Sequence, residues 1–196
     1  MRTDGEATRA RILAAAREEF ARYGLAGARV DRIAEEARAS KERLYAYFGG
    51  KSALFAAVLA ANLQETTDQL PRDALDLPGF VGALYDHAVE HPAHLRMLDW
   101  ARLEGAPETP APCGRPGPAP ADIAAAQAQG IIDAAWDPDD LMTLLFSLAT
   151  AWAQSPDLLY TGRTEDSAAA RGRRRQAAIA AACRLLAPAK GEALPI

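Results

Sequence analysis

The stretch ARVDRIAEEARASKERLYAYFGGKSALF, residues 28–55, decides the fold. Its apolar residues fall into two short helical sets. Val30, Ile33, Ala34 and Ala37 give one inward face, and Leu44 and Phe48, four apart, give a second. Ala34 is small where two such helices would cross. Arg38 and Ala39 lie between the sets as a turn. Ser40 suits the N-cap of the second helix, because its hydroxyl can accept from the free N–H groups of the first turn. Lys41, Arg43, Tyr45 and Tyr47 are then left facing outward or sideways. A helix of about eight residues rises about 12 Å, comparable to the ~12 Å width of the B-DNA major groove. Such a pair is the layout of a helix-turn-helix whose second helix enters that groove.

Each outward side chain has a chemistry that fits this reading. The Arg43 fork can bond guanine O6 and N7 together, a contact worth ~1–3 kcal/mol of discrimination. Tyr45 and Tyr47 suit phosphate or sugar. Lys51 opens the next helix, whose N-terminal N–H groups would help it clamp the DNA backbone. Lys41 opposes the macrodipole in the first turn, and Glu42 partly offsets it. A phosphate or a guanine edge would give that lysine an anionic partner.

Outward from this stretch the pattern is helical nearly throughout, and about nine helices are expected. Thr3 and Glu6 fit a capping box. Ile12, Ala16, Phe20 and Tyr23 then form one apolar stripe, and Gly24 ends the first helix. A fourth helix runs from about residue 51 to 69, with Leu54, Val58, Ala61 and Leu63 near one side. A fifth begins with Phe80, Leu84 and Ala88, and a sixth with Leu95, Leu98 and Ala101. Residues 105–120, GAPETPAPCGRPGPAP, hold six prolines and three glycines and read as a loop. A seventh helix covers about 120–133. Asp137-Pro138 supplies an N-cap followed by proline at the first helical position. The eighth helix carries Leu141, Leu145, Leu148 and Trp152. The ninth, roughly 165–187, carries Ile179, Cys183 and Leu186.

Composition bounds the rest. At 196 residues, 49% apolar and 24% charged, the chain is globular rather than disordered. Its apolar runs fall short of the ~18 residues of a membrane span. The N-terminal twenty residues carry acids and lack the apolar core of a signal peptide. A cytoplasmic protein without a membrane partner is expected. Residues 1–51 hold 11 Lys and Arg against 8 Asp and Glu, while the other 145 residues hold 11 against 18. A basic end on an acidic body fits a protein of which one end approaches phosphates. Cys113 and Cys183 show no pairing by spacing.

With Phe20, Gly24, Val30 to Ala37, Ser40-Lys41, the LYxYF run Leu44–Phe48, Lys51 and Leu54-Phe55 in place, the chain resembles the TetR family of bacterial transcriptional repressors over about 50 residues. Three positions depart from the family pattern. Arg29 stands where a threonine often caps the second helix and touches phosphate. Arg38 replaces a common glycine in the turn, where a left-handed backbone costs ~1 kcal/mol or more. Glu42 replaces a small residue at the groove-facing start of the recognition helix. The resemblance implies an all-α protein with a three-helix DNA-binding domain, residues 1–52. A helical ligand-binding and dimerisation domain, residues 53–196, follows. It implies Arg29, Ser40, Lys41, Arg43, Tyr45, Tyr47 and Lys51 as DNA-binding residues. Its partners are a double-stranded operator, a small-molecule effector and a second copy joined through helices eight and nine.

The apolar stripes of those last two helices independently suit a four-helix interface. Cys183 reads there as a small buried hydrophobe. An effector pocket between helices five to eight would draw on Phe80, Leu84, Tyr85, His87, Met97, Trp100 and Phe146. His87 and His91 stand four apart with His94 beyond a proline, but spacing brings no acid or cysteine to them. No metal site and no cofactor are expected. The Arg171–Arg175 cluster reads as a solvated face. An enzyme is disfavoured, because no nucleophile–base set, phosphate loop or metal motif is present. A ligand-independent activator or architectural protein is the alternative, distinguished by a solid core in place of the pocket.

Overall fold

The computed structural model describes residues 2–105, 116–154 and 167–188. These residues form nine helices: α1 (Arg2–Gly27), α2 (Val30–Glu36), α3 (Lys41–Phe48), α4 (Lys51–Gln69), α5 (Leu77–Glu90), α6 (Pro92–Leu103), α7 (Pro120–Ala128), α8 (Pro138–Gln154) and α9 (Ala168–Leu186). No strand occurs among the described residues, as the helical periodicity predicts. No single helix among them is long and apolar enough to cross a membrane. Cys113 and most of the proline-rich segment lie outside the described residues, as does Ser155-Pro156.

The helices form two compact units. The first consists of α1, α2, α3, α4 up to Thr66, and α6. Its core buries Ile12, Ala16, Phe20, Ile33, Leu44, Leu54, Phe55 and Met97. Phe20 and Phe55 meet edge to face with centroids 5.1 Å apart, the arrangement their ring quadrupoles favour. The packing does not divide the chain after residue 52. Leu54, Phe55, Val58 and Leu59 turn into the Phe20 core, and Ala93 and Met97 of α6 join them. Tyr23 leaves the α1 stripe: it is exposed, and the Arg32 guanidinium lies 4.5 Å from its ring centroid.

Inside α1 the backbone breaks at Gly24, with φ 68° and ψ −176°. Glycine is required there twice over. The positive φ disfavours a side chain, and a Cβ would lie 2.7 Å from both Trp100 and Glu104. The break exposes amides that α6 satisfies: Glu104 accepts from Leu25 N at 2.6 Å and Ala26 N at 3.2 Å. The Trp100 indole N–H donates to the Ala21 carbonyl at 3.2 Å. Thr3 lies inside α1, which begins at Arg2, rather than ahead of it as a cap.

The second unit holds the end of α4 from Thr67, then α5, α7, α8 and α9. Its core buries Phe80, Val81, Leu84, Ile123, Leu141 and Leu145. The face that α9 buries is small: Ala170, Ala178, Ala182 and Leu186. Cys183, expected to be buried, is exposed in the chain because it flanks that alanine face. Asp137 caps α8 as expected, accepting from Asp139 N at 2.9 Å. Asp76 caps α5, accepting from Gly79 N at 2.9 Å, so that helix starts earlier than Phe80. Within the Arg171–Arg175 cluster, Arg175 is not merely solvated: it pairs with Asp86 of α5 through Nε, at 2.9 and 2.8 Å from the two oxygens.

Candidate nucleic-acid interface

The helix-turn-helix is built from capped ends. Ser40 accepts from Arg43 N at 3.2 Å and so closes the start of α3. Gly49, at φ 75°, ends α3 in the left-handed conformation, with its N–H on the Tyr45 carbonyl at 2.8 Å. Leu44 and Phe48 are buried between these ends, and the Arg9 guanidinium lies 5.2 Å from the Phe48 ring centroid. Arg11 Nε donates to the Ala37 carbonyl at 3.2 Å, holding the end of α2 against α1. Arg38 sits in the turn at φ 51°, the left-handed backbone that the glycine-to-arginine departure foretells.

Glu19 ties α2 to α1 and was not singled out from the sequence. Its carboxylate accepts from Arg29 N at 2.8 Å and Arg32 Nε at 2.9 Å. Burial pushes its pKa up. Hydrogen bonds from Arg32 and the Arg29 amide, with the charges of Arg32 and Arg22, outweigh burial and lower it below the usual carboxylate range. Glu19 thus caps α2 from a distance, the role a local threonine would have had at Arg29. No periodicity reveals such a cap, because cap and helix are ten residues apart.

The seven expected DNA-binding residues take distinct positions. Arg43 and Tyr45 are exposed on α3, and among the described residues the Arg43 guanidinium has no partner. Tyr47 is less open than Tyr45, and its hydroxyl lies 3.3 Å from where a Cβ on Gly5 would stand. Arg29 is exposed and makes no side-chain cap. Ser40 serves the helix rather than the solvent. Lys41 pairs with Asp31 of α2, and its pKa is raised by the hydrogen bond and charge of that carboxylate. Lys51 donates to the carbonyls of Ala26 and Ala28, both at 3.1 Å, and fastens the α1–α2 turn. Glu42 folds back on its own helix end. Its own amide and then the Ser40 hydroxyl lower its pKa. Its charge is therefore spent on the α3 N-terminus.

The seven expected effector residues fall into different cores. Met97 and Trp100 pack in the first unit. Phe80 and Leu84 are buried in the second unit, where Phe146 packs against the same core. Tyr85 meets Trp152 edge to face at 6.1 Å, and His87 Nδ1 is 2.9 Å from Gln69 Oε1. Periodicity shows that such residues face inward without showing which core receives them. In the second unit a shallow cavity of about 210 Å³ lies elsewhere, lined by Ala74, Leu77, Ile131, Ile132, Cys183 and Leu186, among others.

Comparison with known proteins matches two stretches of the chain to one family. Residues 12–58 match the family model of bacterial regulatory proteins of the tetR family. Residues 76–184 match the tetracyclin repressor-like C-terminal domain. The HTH-type transcriptional repressor SCO4008 of Streptomyces coelicolor is 44% identical over 154 residues, 76% of this chain and 80% of that protein. The HTH-type transcriptional repressor NicS of Pseudomonas putida is 33% identical over 98 residues, 46% of each chain. The crystal structure of SCO4942 from Streptomyces coelicolor has a TM-score of 0.77 and 40% identity, covering 91% of this chain and 98% of that one. A TetR family transcription regulator from Marinobacter aquaeolei shares the fold, at TM-score 0.70 and 20% identity over 96% of this chain and all of its own.

Proposed function

The chain belongs to the TetR family of bacterial regulatory proteins, and from that premise we propose that it is a transcriptional repressor released from its operator by a small molecule. This is a family of DNA-binding regulators rather than enzymes. The repressor reading is supported by the likeness to the transcriptional repressor SCO4008, at 44% identity over most of both chains. The observation that carries DNA contact is α3 itself. It is capped at both ends, buried on one side through Leu44 and Phe48, and open on the other through Arg43 and Tyr45. A helix so held loses little freedom on entering a groove.

In this proposal Arg43 reads a guanine edge, and Tyr45 and Tyr47 contact the sugar-phosphate backbone. Arg29 and Lys51 add cationic contacts to phosphate. Two copies joined through α8 and α9 place two recognition helices on one operator in the cytoplasm. An effector acts by favouring the dimer shape whose α3 helices do not fit adjacent grooves. The structure also changes which substitutions test the idea. Lys41 pairs with Asp31 and Lys51 fastens the α1–α2 turn, so substituting either changes internal contacts as well as any DNA contact. Arg43→Ala and Tyr45→Ala remove exposed groups alone. With an operator found by selection from random DNA, Arg43→Ala should weaken binding by about tenfold or more, with an unchanged melting temperature. Unchanged affinity in the Arg43→Ala, Tyr45→Ala double variant would remove α3 from the interface.

A further inference from the structure

One cluster in the first unit is absorbed by none of these roles. Glu65 near the end of α4 and His91 and His94 at the start of α6 converge, with one ligand atom from each lying within 4.8 Å of the others. The imidazoles stack with centroids 5.1 Å apart and planes at 15°. His94 Nε2 is 3.6 Å from Glu65 Oε2. His94 is buried, while His91 and Glu65 are half-buried. We propose that Glu65, His91 and His94 form a binding site for a divalent transition metal of the zinc class.

The chemistry favours that class. Two imidazole nitrogens and one carboxylate oxygen are a donor set that zinc accepts with a fourth position open. Magnesium and calcium ask for more oxygen donors than this cluster offers. Metal–ligand bonds of 2.0–2.2 Å in a tetrahedron place neighbouring donors about 3.4 Å apart. Small side-chain rotations close the remaining gap, and the backbone is already set. Pro92 fixes the entry to α6, and His94 N donates to the His91 carbonyl at 2.9 Å, so both rings leave the same helical turn.

Two neighbours bear on the site. Arg17 Nη2 holds Glu65 Oε2 at 2.8 Å, which fixes the carboxylate in place. That oxygen is also the one 3.6 Å from His94 Nε2, so a metal either shares Oε2 with Arg17 or takes Oε1 after the carboxylate turns. Asn62 precedes Glu65 by three residues on the same face of α4. It is 2% exposed, and neither atom of its amide has a hydrogen-bond partner. Buried amides left so are rare, and such a carbonyl is ready for a further ligand or a bridging water. Sequence spacing missed the site because its carboxylate lies 26 residues before the first histidine. The i, i+4 pair His87–His91 that spacing suggested is separated instead: His87 engages Gln69 in the second unit.

The test uses the full chain, stripped with a chelator and titrated with Co²⁺ as a spectroscopic probe and then with Zn²⁺. The expected result is tetrahedral or five-coordinate d–d absorption that Zn²⁺ abolishes, and a melting temperature raised by Zn²⁺ but not by Mg²⁺. His91→Ala and Glu65→Gln should each weaken Zn²⁺ binding by at least about 100-fold. His87→Ala and Cys183→Ser should leave it unchanged. Either ligand variant suffices if the other fails to fold. Absence of Co²⁺ absorption would overturn the proposal, as would binding indifferent to both ligand variants or lost with Cys183.

Discussion

Arg38 is the residue at which sequence and geometry meet most directly. A side chain stands at φ 51° where glycine would stand without strain. Relief of that strain outweighs the extra freedom glycine gains in the unfolded chain. Arg38→Gly should therefore raise stability by up to about 1 kcal/mol, read as a higher urea midpoint. A lower midpoint would mean that the arginine side chain makes up for its backbone. Glu19 carries the opposite kind of information. Its folded pKa is depressed, so its stabilising effect is complete at neutral pH and declines as pH falls below its ordinary range, about 4–5, toward the lowered value. The stability gap between wild type and Glu19→Gln should be constant from pH 7 to about 5 and shrink in more acid solution. A gap that persists at low pH would show that the carboxylate charge is not what matters. Arg38 was legible because its cost is local. Glu19 was not, since its hydrogen bonds reach across to another helix.

At the scale of the element, α3 was legible almost whole. Ser40, Leu44 and Phe48 each act within one or two turns of themselves, and local patterning records such roles. The start of α4 was only half legible. Lys51 was recognised as a cation beside the DNA-facing helix, but not as the donor to two carbonyls of the α1–α2 turn. Both roles can be separated by experiment. Lys51→Met should cost about 1–2 kcal/mol of stability through the lost charge-assisted hydrogen bonds. If Lys51 also neutralises a phosphate, the slope of log affinity against log salt should fall by about 1. Loss of stability with an unaltered slope would confine it to the turn. The alanine face of α9 was legible as helix and illegible as packing. Ala178 and Ala182 bury completely while bulkier Ile179 stays at the margin.

At the scale of the molecule, the all-α class and the helical order were within reach of periodicity. The partition into units was not. α6 is apolar on one side, but nothing local says that Met97 fills a core with Phe20 while Phe80 fills another with Leu141. That assignment depends on contacts made across 79 residues, as between Trp100 and Ala21.

The same indole has a practical consequence. Of the three tryptophans, Trp100 belongs to the first unit, and Trp136 and Trp152 pack against the core of the second. Replacing Trp136 and Trp152 with phenylalanine leaves one fluorophore in the unit that carries α3. Its emission should shift to the red when the α1–α6 joint opens, whatever the second unit is doing. Optical unfolding of that variant, set beside the unfolding of a Trp100→Phe chain, would tell whether the two cores melt as one cooperative body or in sequence.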